Sequence, residues 1–154
     1  MDYLVLKWIH IISATVLFGT GIGSAFYMLM ANRSRKLDNI VFATRAVVLA
    51  DWLFTTPAVI IQLITGIWLV GLSGWSFSDT WVVSALGLFA FIGLCWLPVV
   101  WLQIEMRKMA EAALTSRCEL PARYWSFERW WIVLGCLAFP ATLLIFYLMV
   151  FKPD

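Results

Sequence analysis

Few side chains in this sequence could do chemistry, and His10 leads them as the one histidine in the chain. A neutral imidazole is a good axial ligand for haem iron, and Lys7, one helical turn before it, could pair with a propionate or another anion. The helical face of His10 carries Ser13, Ala14, Leu17, Gly21, Ser24, Ala25 and Met28, mostly small side chains. Small residues either let a neighbouring helix approach, with Gly19 and Gly23 supplying a Gly-x-x-x-Gly pair, or leave a slot for a flat ring such as a porphyrin. The other axial position would have to hold a sulfur or the His10 of another copy, or stay empty. The alternative is that His10 hydrogen-bonds Gln62 or Thr65, which reach a similar depth on a second helix, and stays neutral.

Asp51 is the second focus. At 100° per residue Asp51, Thr55, Gln62, Thr65 and Gly66 fall along one helix face, and further along the chain Trp96, Gln103 and Arg107 make another such line. Gln103 lies at nearly the depth of Asp51. A carboxylate about 13 Å inside an apolar helix must turn inward and find a donor, and Gln103, Trp52 and Arg107 are the candidates. Such groups either fix helix packing by hydrogen bonds or form a proton path or ligand site. The cysteines, Cys95, Cys118 and Cys136, form no Cys-x-x-Cys pair and read as small packing residues.

The elements that position these groups can be read from composition. Of 154 residues 63% are hydrophobic and 13% charged, which excludes a soluble globule, and the mean hydropathy is +0.90. An aromatic share of 16%, with 9 Gly, 5 Pro and 3 Cys, excludes a disordered, collagen-like or disulfide-stapled chain. The net charge of +2 gives nucleic-acid binding no support. Four apolar runs, residues 4–29, 42–72, 81–104 and 131–151, each hold about 20 residues or more, enough to cross the hydrocarbon core as helices. Period-two alternation is absent, so a barrel is excluded. The expectation is an all-α, polytopic bundle of four transmembrane helices in a single integral-membrane domain, residues 1–154. Pro57, Pro98 and Pro140 fall inside the second, third and fourth runs and predict bends there. The second run is long enough that it must tilt, kink or protrude.

Basic residues set the orientation. Arg33, Arg35 and Lys36 come after the first run, and Arg107, Lys108, Arg117, Arg123 and Arg129 after the third, whereas Lys7 and Lys152 lie at the opposite side. The positive-inside rule puts segments 31–39 and 107–129 in the cytoplasm and both termini outside. Trp8, Trp68, Trp75 and Trp81 would then mark the outer interface, and Trp101, Trp125, Trp130 and Trp131 the inner one. Segment 107–129 is the longest soluble piece, and its opening, residues 107–115, should extend the third helix. Nothing in it carries a phosphate-binding loop, paired metal ligands or a nucleophile elbow, so any chemistry lies within the membrane.

Three blocks carry a family resemblance: Tyr3 to Ile11 with Gly19 to Gly23; Ala50 to Ala58 with Gln62 and Gly66 to Leu69; and Cys95 to Arg107. Over its whole length the chain resembles the bacterial predicted integral-membrane proteins of domain of unknown function family 2269. That resemblance implies a four-helix protein of the bacterial inner membrane and no activity. More distantly, Lys7 and His10 resemble the start of HemJ-type protoporphyrinogen oxidases and copper-resistance D proteins, where a first-helix histidine is associated with haem b or a metal. Two functions from different classes are implied. In one the chain binds haem b or another redox cofactor, His10 ligating the iron while Lys7, Gln62 and Thr65 orient it or hold the propionates. In the other it is a non-enzymatic structural or accessory subunit in which His10, Asp51 and Gln103 only fix packing. A small transporter ranks below both, since the chain has no internal repeat and one deep carboxylate. The partners implied are the lipid bilayer and, through the small-residue faces, a second copy or a larger membrane complex.

Overall fold

The structure is a computed structural model that describes residues 2–153. It is all-helical, with no strand among the described residues. Helix α1 is Tyr3–Ser34, α2 is Leu37–Ala50, α3 is Thr56–Leu72, α4 is Thr80–Ser116 and α5 is Ala122–Phe151. A π-helical turn, Asp51–Thr55, joins α2 to α3 in one continuous element, which makes four helices long and apolar enough to cross a membrane.

The helices outrun the apolar runs at the basic end. Segment 31–39 is no loop: α1 continues to Ser34, and Arg35 and Lys36 alone separate it from α2. Arg35 makes this short joint by taking the left-handed conformation, φ 55°, and its guanidinium lies 3.8 Å over the Trp125 ring. The stacking helps hold a non-glycine residue in a region of backbone space that costs it energy. Segment 107–129 is likewise mostly helix, with residues 117–121 its non-helical link. The expected extension of the third helix therefore occurs, and the fourth begins well before Trp131. Arg45 on α2 pairs with Glu111 on the extension of α4, 2.7 Å apart, and this marks the charged layer at that end.

Pro57 explains the π turn. Proline has no N–H to donate and its ring presses on the carbonyl four residues back, here that of Leu53. The helix widens just before it, with Thr56 N–H bonding to the Asp51 carbonyl five residues earlier. Pro98 and Pro140 lie inside α4 and α5 with the helices continuous through them.

Packing is uneven along the bundle. A tight core of Met28, Ile40, Val41, Val47, Leu102, Met106, Ala110, Tyr124 and Trp131 fills the basic half. There α2 packs on both α1 and α4, and Tyr124 Oη donates to Asn32 Oδ1 at 2.7 Å. Toward the other end α2 gives way to α3; α3 packs on α1, α4 on α5, and the two pairs part. Phe18 of α1 bridges the gap by stacking on Phe139 of α5 at 5.3 Å between centroids. Outward-facing apolar side chains such as Leu4, Phe42, Leu94 and Val150 cover the periphery.

Candidate functional site

The space between the helix pairs is a cavity of about 710 Å³ walled by α1, α3, α4 and α5 together with Asp51 and Thr55 of the π turn. Small residues make the room. Gly21, Gly93 and Gly135 all line it, and a Cβ added at any of them would meet nothing within 4 Å. Ala14, Ser24 and Ala25 of the His10 face line it too, so that face borders a void. Gly19 and Gly23 also have open space above them, and no helix of this chain uses their Gly-x-x-x-Gly spacing. Trp81 and Phe77 line the far end, where Trp75 packs edge-on against Trp81 and Lys152 lies over both rings at 5.2 and 5.6 Å.

His10 sits in the wall with both ring nitrogens engaged. Nδ1 is 2.8 Å from Thr65 Oγ1, and Nε2 is 2.9 Å from Gln62 Nε2. The surrounding bonds fix the proton count. Thr65 spends its single hydroxyl proton on the Ile61 carbonyl at 2.6 Å, so it must accept from His10 Nδ1–H. Gln62 therefore donates to the Nε2 lone pair, and its carbonyl accepts from Ser13 Oγ, which also reaches the His10 carbonyl at 2.9 Å. Every member is satisfied with a neutral imidazole, and α1 is pinned to α3. Gly66 is needed at this crossing, where a Cβ would lie 3.3 Å from His10 Cε1. Iron ligation by His10 would require Gln62 to release Nε2, because no ring nitrogen is free in this arrangement. Lys7 is not part of the network: it is exposed and lies 5.9 Å over the Tyr3 ring.

Asp51 heads the second network, deeper in the bundle. Thr55 Oγ1 donates to its Oδ1 at 2.9 Å, one turn along the π segment. The amide orientation of Gln103 that satisfies both neighbours donates to Asp51 Oδ2 at 2.5 Å and accepts from Trp131 Nε1 at 3.2 Å. Indole N–H is donor-only, so Trp131 dictates which way Gln103 points, and Gln103 in turn holds Oδ2 as an acceptor. Of the three candidate donors for Asp51 the structure brings in Gln103; Trp52 is exposed, and Arg107 makes no ion pair among the described residues. Arg107 Nε and Trp96 Nε1 are buried without a partner among the described residues. Thr55 and Trp131 are the partners that sequence reasoning misses. Thr55 is signalled by its spacing from Asp51, whereas Trp131, expected at the inner interface, is 7% exposed and lies inside the core.

A family model described as predicted integral membrane protein (DUF2269) matches residues 4–153, and the chain belongs to that family. No curated protein and no solved structure matches it.

Proposed function

We propose that this integral membrane protein, a member of the DUF2269 family, sits in the bacterial inner membrane with both termini outside and binds a lipophilic small molecule in its central cavity. The observation that carries the proposal is the cavity itself. It falls in the range of about 300–1,000 Å³ typical of small-molecule sites, and its walls are apolar with a few placed polar groups. Protein interiors are ordinarily close-packed, because side chains lining a void lose dispersion contacts. Glycines on three helices hold this void open.

Filling the cavity tests the proposal. Gly93→Phe and Gly135→Phe start from a Cβ in open space on the cavity wall and put a ring toward the void. Wild-type protein in neutral-lipid nanodiscs should bind a lipophilic dye such as Nile red saturably, and both variants, helical by circular dichroism, should lose that binding. Unchanged binding in both would overturn it.

Haem b bound through His10 is a narrower form of the same proposal. It needs Gln62 to turn away, and a second axial ligand would come from another copy or from a sulfur, since the chain has one histidine. Reduced-minus-oxidised spectra of wild type and His10→Ala after haem supplementation decide it: a Soret band lost in the variant supports haem, and absent or equal bands end it. The closed hydrogen-bond network of His10 favours a second reading for that residue, a helix-pairing role in a structural or accessory subunit.

A further inference from the structure

We infer that the occupant of the cavity is an elongated amphiphile whose cationic, N–H-bearing amine pairs with Asp51. This rests on the cavity being a binding site, and it adds the chemistry of the ligand.

Among the described residues Asp51 is the one Asp, Glu, Lys or Arg that lines the cavity, and His10, the other titratable group in its wall besides the cysteines, has both ring nitrogens hydrogen-bonded. It is 6% exposed, and both of its partners, Thr55 and Gln103, are neutral. No ion pair reaches it among the described residues. Arg107, the nearest basic residue along α4, lies one turn toward the basic end and is not among the lining residues. A carboxylate accepts about four hydrogen bonds, and two are in use. Since Trp131 fixes Gln103 with its amide nitrogen toward Asp51, the floor of the cavity presents acceptor capacity. A ligand placed there must donate, and a charged donor offsets the burial of the carboxylate.

The walls specify the rest of the ligand. On α4 the lining runs from Trp81 to Gln103, a helical length of about 33 Å, and between those ends it is overwhelmingly apolar. His10 and Gln62 have their hydrogen bonds met within the wall and ask nothing of an occupant. A lipid lying the other way, with its head at the far mouth beside Lys152, would place a hydrocarbon end against a buried carboxylate, the least favourable contact the cavity offers. A long-chain amine has the matching polarity: its head on the floor and its tail toward Trp81.

The probes are N,N-dimethyldodecylamine and its neutral counterpart dodecanol, each competing against Nile red on full-length protein in phosphatidylcholine nanodiscs. The amine should displace the dye at a concentration at least tenfold below that of the alcohol, and Asp51→Asn, which keeps the shape of the side chain but replaces one acceptor oxygen by an NH2 donor and carries no charge, should erase that preference while dodecanol competes as before. Equal potency of the two compounds on wild type, or an undiminished preference in Asp51→Asn, would overturn the inference and leave the cavity proposal intact. Failure of Nile red to bind wild type would overturn both. Should Asp51→Asn not fold, wild type alone decides through covalent labelling of Asp51 by a hydrophobic carbodiimide, read as a peptide mass shift. The amine should protect Asp51 at concentrations where dodecanol does not, and equal protection would refute the inference.

Discussion

Replacing Gln103 with leucine should cost about 2 kcal/mol of bundle stability, a figure set by its two bonds. Leucine keeps roughly the volume and removes both the donor to Asp51 Oδ2 and the acceptor for Trp131 Nε1. In a soluble core an orphaned neutral group costs about 1–3 kcal/mol and a bond to a charged group is worth about 1.5–3 kcal/mol, so the loss would approach about 5 kcal/mol. In a membrane the separated helices find other partners, and interhelical bonds are worth about 0.6 kcal/mol on average and up to about 1.7 kcal/mol. Two such bonds at a buried charge give the intermediate value. Trp131→Phe should cost about 1 kcal/mol through the loss of its N–H bond. The double variant should cost about what Gln103→Leu costs, a coupling of about 1 kcal/mol, because both changes break the same bond. Reversible unfolding in mixed micelles, followed by far-ultraviolet circular dichroism so that the lost tryptophan does not alter the signal, measures all three. A Gln103→Leu variant as stable as wild type, or strictly additive losses, would refute the Asp51–Gln103–Trp131 chain.

Two glycine substitutions should move stability in opposite directions. Gly66→Ala should destabilise, because its Cβ meets an imidazole held on both sides, while Gly93→Ala, with open space above it, should stabilise by up to about 1 kcal/mol; thermal unfolding of the pair reads the contrast. Tyr124→Phe leaves Asn32 Oδ1, already beside an unpartnered Nδ2, without its donor and should cost about 1–3 kcal/mol, with Tyr124→Phe plus Asn32→Leu costing less than the sum of the two single changes. Cys118 is exposed in the 117–121 link, so a membrane-impermeant maleimide should label it in inside-out vesicles and not in intact spheroplasts; the reverse pattern would invert the proposed topology.

The four spans are legible in the sequence because continuous apolar length is a direct signature of crossing helices. Their ends are not, since helices here run past the hydrophobic layer into charged sequence, and residues 107–116 and 122–130 satisfy helical bonding with or without lipid. Gln62 and Thr65 stand in the sequence as alternative partners for His10, and the structure uses both, one on each ring nitrogen. The single stripe through Asp51, Thr55, Gln62, Thr65 and Gly66 holds in part: all but Thr65 line the cavity, but its two ends bond to different helices. A helical wheel assumes 100° per residue throughout, whereas the π turn adds a residue and rotates α3 relative to α2 by about 100°. Asp51 accordingly bonds toward α4 while Gln62 and Thr65 bond toward α1. The cavity leaves no periodic signal, because a face of small residues reads the same whether a helix or a void lies against it.

The π turn also sets how this chain tolerates gains and losses of sequence. The turn takes up one extra residue without advancing the helix, so deleting one residue between Asp51 and Thr55 would restore an ordinary α-helix with the two halves of that span still in phase. Asp51 would keep Gln103, and Gln62 and Thr65 would keep His10. Inserting a further residue anywhere between the two clusters is the damaging change, since without a second bulge it would set them out of phase by about 100° and 1.5 Å. The slack in the frame of this segment, more than the identity of any residue in it, keeps both polar clusters inside one bundle.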